Sequence, residues 1–251
     1  MLNFYTKDWE LKSIETVLLD KDGTFQNDHL YWGKLAEKRV EAIIKKFNLS
    51  NNCFEDLCFA IGHNPKICRL IKNGPVGTLS RTDVIEFMVK YLKKYDIITD
   101  FKTMSDLFDD VHHEFMSQME KYVDFIEYSE EFIKNLKSKG AKLAVVTSDS
   151  YAHTLEILKI LKIDDCFECV IGKDSCEYEK KTGKPALLAI EKLQANPEST
   201  IVIGDAPMDA MMAENAKLKG SILVSTGQVD LEDLQKFSKY TVKNLSEVKI
   251  K

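Results

Sequence analysis

The chain has 251 residues, room for one large domain or two small ones, and 44% of them are hydrophobic, as expected of a chain that buries a core. Lys and Arg number 35 against 40 Asp and Glu, a formal charge of −5. That balance argues against a nucleic-acid polymer as partner, which wants a basic surface, and no apolar run approaches the ~18 residues of a membrane span.

In chain order, residues 1–15 form a short lead without the basic-then-apolar order of a secretory signal, so a cytoplasmic location is expected. The stretch "ETVLLD" (15–20) predicts a strand, apolar on both faces until its end. From about residue 27 to 128 little strand pattern shows. "GKLAEKRVEAIIKKF" (33–47), "RTDVIEFMVKYLKKY" (81–95, with Ser80 as N-cap) and "MSDLFDDVHHEFMSQMEKYV" (104–123) space their apolar residues as amphipathic helices do. From 142 onward short apolar strands alternate with helices. The strands are 142–147, 169–172, 200–205 and 221–225; the helices are 151–161, 184–193 and 208–218. This alternation signals βαβ units and a parallel sheet. The expected fold is α/β: a Rossmann-like parallel sheet flanked by helices, formed by residues 1–26 and 129–251, with an α-helical domain inserted over 27–128.

In open parallel sheets, ligands bind beyond the carboxyl ends of the strands. Strand 15–20 ends on Asp20, with Asp22 just past it. Strand 142–147 ends on Thr147 and Ser148. Strand 200–205 ends on Asp205, with Asp209 close behind, and Lys184 opens a helix after a loop. Carboxylates gathered at one rim repel unless a cation neutralises them. An all-oxygen donor set suits Mg²⁺. With a lysine and hydroxyls, Mg²⁺ makes a phosphate cradle. One carboxylate could attack phosphorus while a second moves protons, and Gly23 would let the backbone turn sharply beside the substrate.

These residues resemble the haloacid dehalogenase-like superfamily. "DKDGT" (20–24), "VVTS" (145–148), "GKP" (183–185) and "GDAPMD" (204–209) match its four motifs in order, each after the expected element. The helical insertion between motifs one and two is similar to the cap of the phosphoglycolate phosphatase-like branch. The resemblance implies a Mg²⁺-dependent phosphatase acting on a small phosphate ester through an aspartyl-phosphate. It implies Asp20 as nucleophile and Asp22 as general acid/base. The metal would be held by Asp20, Asp22 (through its backbone carbonyl) and Asp205. Thr147, Ser148 and Lys184 would bind the phosphoryl group, with Gly23 beside it and Thr24 and Asp209 in support. Three positions depart from the usual pattern: Lys21, where an apolar residue is frequent, Ser148 for Asn, and Ala206 for Ser or Thr.

Other readings stand beside this one. Lys180 and Lys181 rival Lys184, which the following Pro favours. A dehalogenase acting on carbon has no use for an acid at position 22, and ion pumps carry Thr there. A phosphomutase would keep both aspartates, and an idle regulatory scaffold would lose a nucleophile or metal ligand. Arg81, at a helix start, either meets an anionic substrate group or is solvated. His29, Tyr31 and Trp32 line an entrance or pack a hinge. Cys166 and Cys169 form a CxxC that lacks a second metal-ligand pair and reads as buried thiols. A monomer and a homodimer are both compatible with the sequence.

Overall fold

The structure, a computed structural model, describes residues 1–251. The chain divides into two compact units, Met1–Asn27 with Asp124–Lys251, and Asp28–Val123.

The first unit is built on a parallel sheet. Its strands are β3 (Thr16–Leu19), β6 (Lys142–Val146), β7 (Cys169–Ile171), β8 (Thr200–Gly204), β9 (Gly220–Val224) and β10 (Tyr240–Val242), in the order β10-β9-β8-β3-β6-β7. Every residue of β3 and β8 is buried, as an interior strand requires. The chain runs from β3 outward to β6 and β7, then returns to the other side of β3 for β8, β9 and β10. That reversal places the switch point of the sheet at β3. Register is tight: Leu18 lies opposite Ala144 on one side and Val202 on the other. Leu18, Ala144 and Val202 pack with Ala186, Ala189 and Met212, apolar residues of α8 (Lys184–Leu193) and α9 (Pro207–Asn215). Helices α6 (Ser129–Ser138), α7 (Tyr151–Ile160) and α10 (Leu231–Leu234) complete the layer structure.

The lead and the C-terminus add a small antiparallel sheet that the sequence reading left unassigned. It has the order β11-β1-β2, with β1 (Leu2–Tyr5), β2 (Glu10–Ile14) and β11 (Lys249–Ile250). Its pattern is legible afterwards in the alternation of β1, where Leu2 and Phe4 are buried and their neighbours are not. Phe4 packs against Phe132 of α6, ring centroids 6.4 Å apart.

The second unit is mainly helical: α1 (Asp28–Lys46), α2 (Phe54–Ile61), a two-stranded hairpin of β4 (His63–Asn64) and β5 (Arg69–Leu70), a short turn α3 (Pro75–Thr78), α4 (Arg81–Tyr91) and α5 (Phe101–Met116). Ser80 and Asp100 cap α4 and α5 through their side chains. The core gathers Val40, Ile43, Leu57, Ile61, Ile85 and Phe108. Two boundaries differ from the sequence reading. Helix α1 begins at Asp28 rather than 33, because Tyr31 is buried with its ring edge-on to Trp32 and Phe115. Helix α5 stops at Met116, and the chain passes through a 3₁₀ turn at Met119–Lys121 instead of continuing to 123.

Candidate active site

The site grows from the carboxyl end of β3. Asp20 is the first residue past the strand, and its N–H donates to the Ile203 carbonyl of β8 at 2.8 Å. The Lys21 carbonyl then accepts from the N–H groups of Phe25 (3.1 Å) and Gln26 (3.0 Å), folding residues 21–26 into a tight loop. Gly23, at φ 71°, supplies the left-handed turn inside it, and its carbonyl accepts from the Thr226 hydroxyl at 2.5 Å.

Three carboxylates converge there. Ligand oxygens of Asp20, Asp205 and Asp209 all lie within 4.8 Å of one another. Asp205 follows β8 and packs on two glycines. A Cβ built at Gly227 would come within 1.8 Å of its Oδ2, and one at Gly23 within 2.4 Å. Asp209, fully buried, accepts from the Ala206 N–H at 3.0 Å and so caps the start of α9. One ammonium enters this cluster, that of Lys180, at 2.5 Å from Asp20 Oδ1 and 2.6 Å from Asp209 Oδ1.

Of the three lysines in this stretch, the structure brings Lys180, and not Lys184, to the carboxylates. Lys184 is the exposed first residue of α8, its ammonium 5.9 Å from the Tyr178 ring centroid. Pro185 and the left-handed Gly183 (φ 79°) set the start of the helix, and Lys184 faces solvent there. Lys180, buried and drawn in by two carboxylates, reaches the site from the preceding 3₁₀ turn. Arg81 belongs to the helical unit, where its guanidinium is paired with Asp109 at 2.7 Å and the Ser105 carbonyl at 3.1 Å. In the same unit the His29 ring accepts from the Leu70 N–H at 3.2 Å. Thr24, within the 21–26 loop, is fully buried.

Electrostatics follow from burial. Loss of water pushes the Asp20 carboxyl up to about 6, with Asp209 and Asp22 adding to the rise and Lys180 opposing it. Burial disfavours the charge on Lys180, but Asp20 and Asp209 outweigh it and hold the ammonium above the usual lysine range. Three close carboxylates against one ammonium leave a negative excess. The donors are all oxygen, and a divalent cation of the Mg²⁺ kind fits that set.

Beside the cluster lies a cavity of about 350 Å³. Thr147, Ser148, Lys180 and Met208 are among its lining residues. Thr147 is buried, and its Oγ1 accepts from the Asp149 N–H at 3.2 Å; Ser148 is exposed.

The sequence reading missed the depth of Lys21. Its side chain is fully buried, and its ammonium lies 2.7 Å from Asp22 Oδ2, 2.8 Å from Gln26 Oε1 and 3.3 Å from Asp149 Oδ2. It also missed Gly227, whose need for glycine arises only from the approach of Asp205. The CxxC cysteines are free thiols, and burial raises both.

The chain matches the sequence profile of the haloacid dehalogenase-like hydrolases over residues 69–223. It belongs to that family. A pyrophosphatase PpaX from Bacillus mycoides is 28% identical over 207 residues, covering 82% of this chain and 81% of that protein. Other relatives of that name align over only 53% and 40% of their own length. A predicted phosphoglycolate phosphatase from Haemophilus somnus superposes with a TM-score of 0.68 at 19% identity, covering 94% of this chain and 97% of that one. A haloacid dehalogenase-superfamily hydrolase of subfamily IA from Geobacter sulfurreducens gives 0.65 at 17% identity, over 92% and 93%. These superpositions establish the fold. The profile match begins after motif one, so the Asp20 loop rests on its own geometry.

Proposed function

We propose that this chain is a Mg²⁺-dependent phosphatase that hydrolyses a small phosphate ester through an aspartyl-phosphate on Asp20. The observation that carries the reading is the buried Asp20 at the switch point of the sheet, with Lys180 and Asp209 against it and Asp22 two residues on in the loop.

Asp20 and Asp205 would hold the metal with the Asp22 backbone carbonyl; both oxygens of Asp209 are engaged by Lys180 and the Ala206 N–H. When bound, the metal neutralises phosphoryl oxygens and keeps Asp20 ionised. Lys180 and Thr147 bind the remaining phosphoryl oxygens. An Asp20 carboxylate oxygen forms a bond to phosphorus as the bond to the leaving oxygen breaks, and that oxygen keeps the electron pair. Protonated Asp22 gives its proton to the leaving oxygen and becomes a carboxylate. Water then attacks the aspartyl-phosphate, its proton returns to Asp22, and phosphate leaves as the Asp20 carboxylate is restored. The PpaX relatives support a phosphate-bearing substrate, and inorganic pyrophosphate belongs on the test panel.

The test is phosphate release from phosphorylated metabolites and pyrophosphate, with Mg²⁺ and with EDTA. Mg²⁺-dependent release that falls at least about a thousand-fold in Asp20→Asn is expected. Release that survives this substitution or EDTA would overturn the reading.

A further inference from the structure

A lysine ammonium sealed from water is costly unless every N–H finds an acceptor. Lys21 donates to Asp22 Oδ2 and Gln26 Oε1, and its charge is paired at 3.3 Å with Asp149 Oδ2, an ion pair without a hydrogen bond. Two hydrogen bonds and one ion pair restrain the buried ammonium. Asp149 sits just past β6 and also lies 3.5 Å from His153 Nε2 on α7. The chain is thus tied from the motif-one loop to the loop after β6. The arrangement divides the Asp22 carboxylate: Oδ2 is anchored to Lys21, while Oδ1 makes no hydrogen bond within the protein.

We infer that Lys21 is a positioning residue for the phosphatase reaction: it anchors one oxygen of Asp22 so that the other meets the leaving group and then the attacking water. This rests on the phosphatase reading above. It predicts a dependence on leaving group. An alkyl phosphate expels a basic alkoxide that needs the Asp22 proton. p-Nitrophenyl phosphate expels a stable phenolate that does not. Hydrolysis of the aspartyl-phosphate needs Asp22 as base in both cases.

The experiment compares wild type and Lys21→Met on an alkyl phosphate and on p-nitrophenyl phosphate, by stopped flow and at steady state. On the alkyl phosphate, kcat is expected to fall about 100-fold or more, with KM changed little. On p-nitrophenyl phosphate, the first turnover should stay within about three-fold of wild type. It should appear as a burst near one phenolate per active site before a slow phase. Equal loss in the first turnover of both substrates, or no loss in either, would overturn the inference. Wild type inactive on both would instead overturn the phosphatase reading itself. Should Lys21→Met fail to fold, Asp149→Asn keeps Lys21 in place and loosens its anchor. The same selective loss, about three- to ten-fold, is then expected, and wild-type kinetics would reject the role of Lys21.

Discussion

Asp20 carries two consequences that can be measured without substrate. Its carboxyl is pushed up to about 6, chiefly by burial, above the ordinary value of 3.8. Between those values the folded protein binds more protons than the unfolded chain, so this group adds stability as pH falls through the window and removes it as pH rises. Urea unfolding in EDTA at pH 5 and pH 7 should therefore show a larger loss toward neutrality in wild type than in Asp20→Asn. The same proton must leave before a cation binds, so Mg²⁺ affinity should weaken below pH 6 and calorimetry there should register proton release. Gly227 gives a second prediction. A methyl group there forces the Asp205 carboxylate aside, a cheap shift for the fold but a displaced metal donor. Gly227→Ala should weaken Mg²⁺ binding at least about ten-fold while shifting stability by about 1 kcal/mol or less. Unchanged Mg²⁺ affinity by calorimetry would count against Asp205 as a donor.

The contrast between Lys180 and Lys184 belongs to the turn that carries them. Lys180→Met should cost about a hundred-fold or more in kcat/KM, and Lys184→Met about two-fold or less. A reversed order would return the phosphate contact to Lys184. This turn also marks what a sequence can tell. That Asp20, Asp22 and Asp205 would lie at one edge was legible, because Asp20 and Asp205 each follow a short apolar strand, Asp22 comes two residues after Asp20, and a parallel sheet puts such strand ends on one edge. The choice among three lysines in "KKTGK" was not legible. It depends on which side chain two distant carboxylates draw inward. The depth of Lys21 was hidden for the same reason: one ion-pair partner, Asp149, arrives from the loop after β6. Arg81 looked available for an anion at a helix start, but Asp109 meets it from the next helix. Local pattern names the residue types, and long-range pairing decides which of them is free.

For the molecule as a whole, no helix is long and apolar enough to cross a membrane. The two units should respond differently to metal. Mg²⁺ at 100 times its Kd adds about 2.7 kcal/mol to whatever unfolds with the site. For a protein of this size that raises the midpoint by roughly 5–10 °C. If calorimetry resolves two transitions, only the one containing β3 and β8 should move, and Asp205→Asn should abolish the shift. A shift in both transitions would show that the units unfold together.

The neck of the insertion has a consequence of another kind. Asn27 N–H donates to the Asp124 carbonyl at 2.9 Å, and Ile126 N–H to the Phe25 carbonyl at 2.8 Å. The chain leaves the sheet unit and re-enters it through one pair of hydrogen-bonded segments, so closing the insertion costs the sheet unit little extra order, whatever its length. To the sheet unit, residues 28–123 are an insertion held at a single neck. A change in the length of that part need not disturb the register of β3.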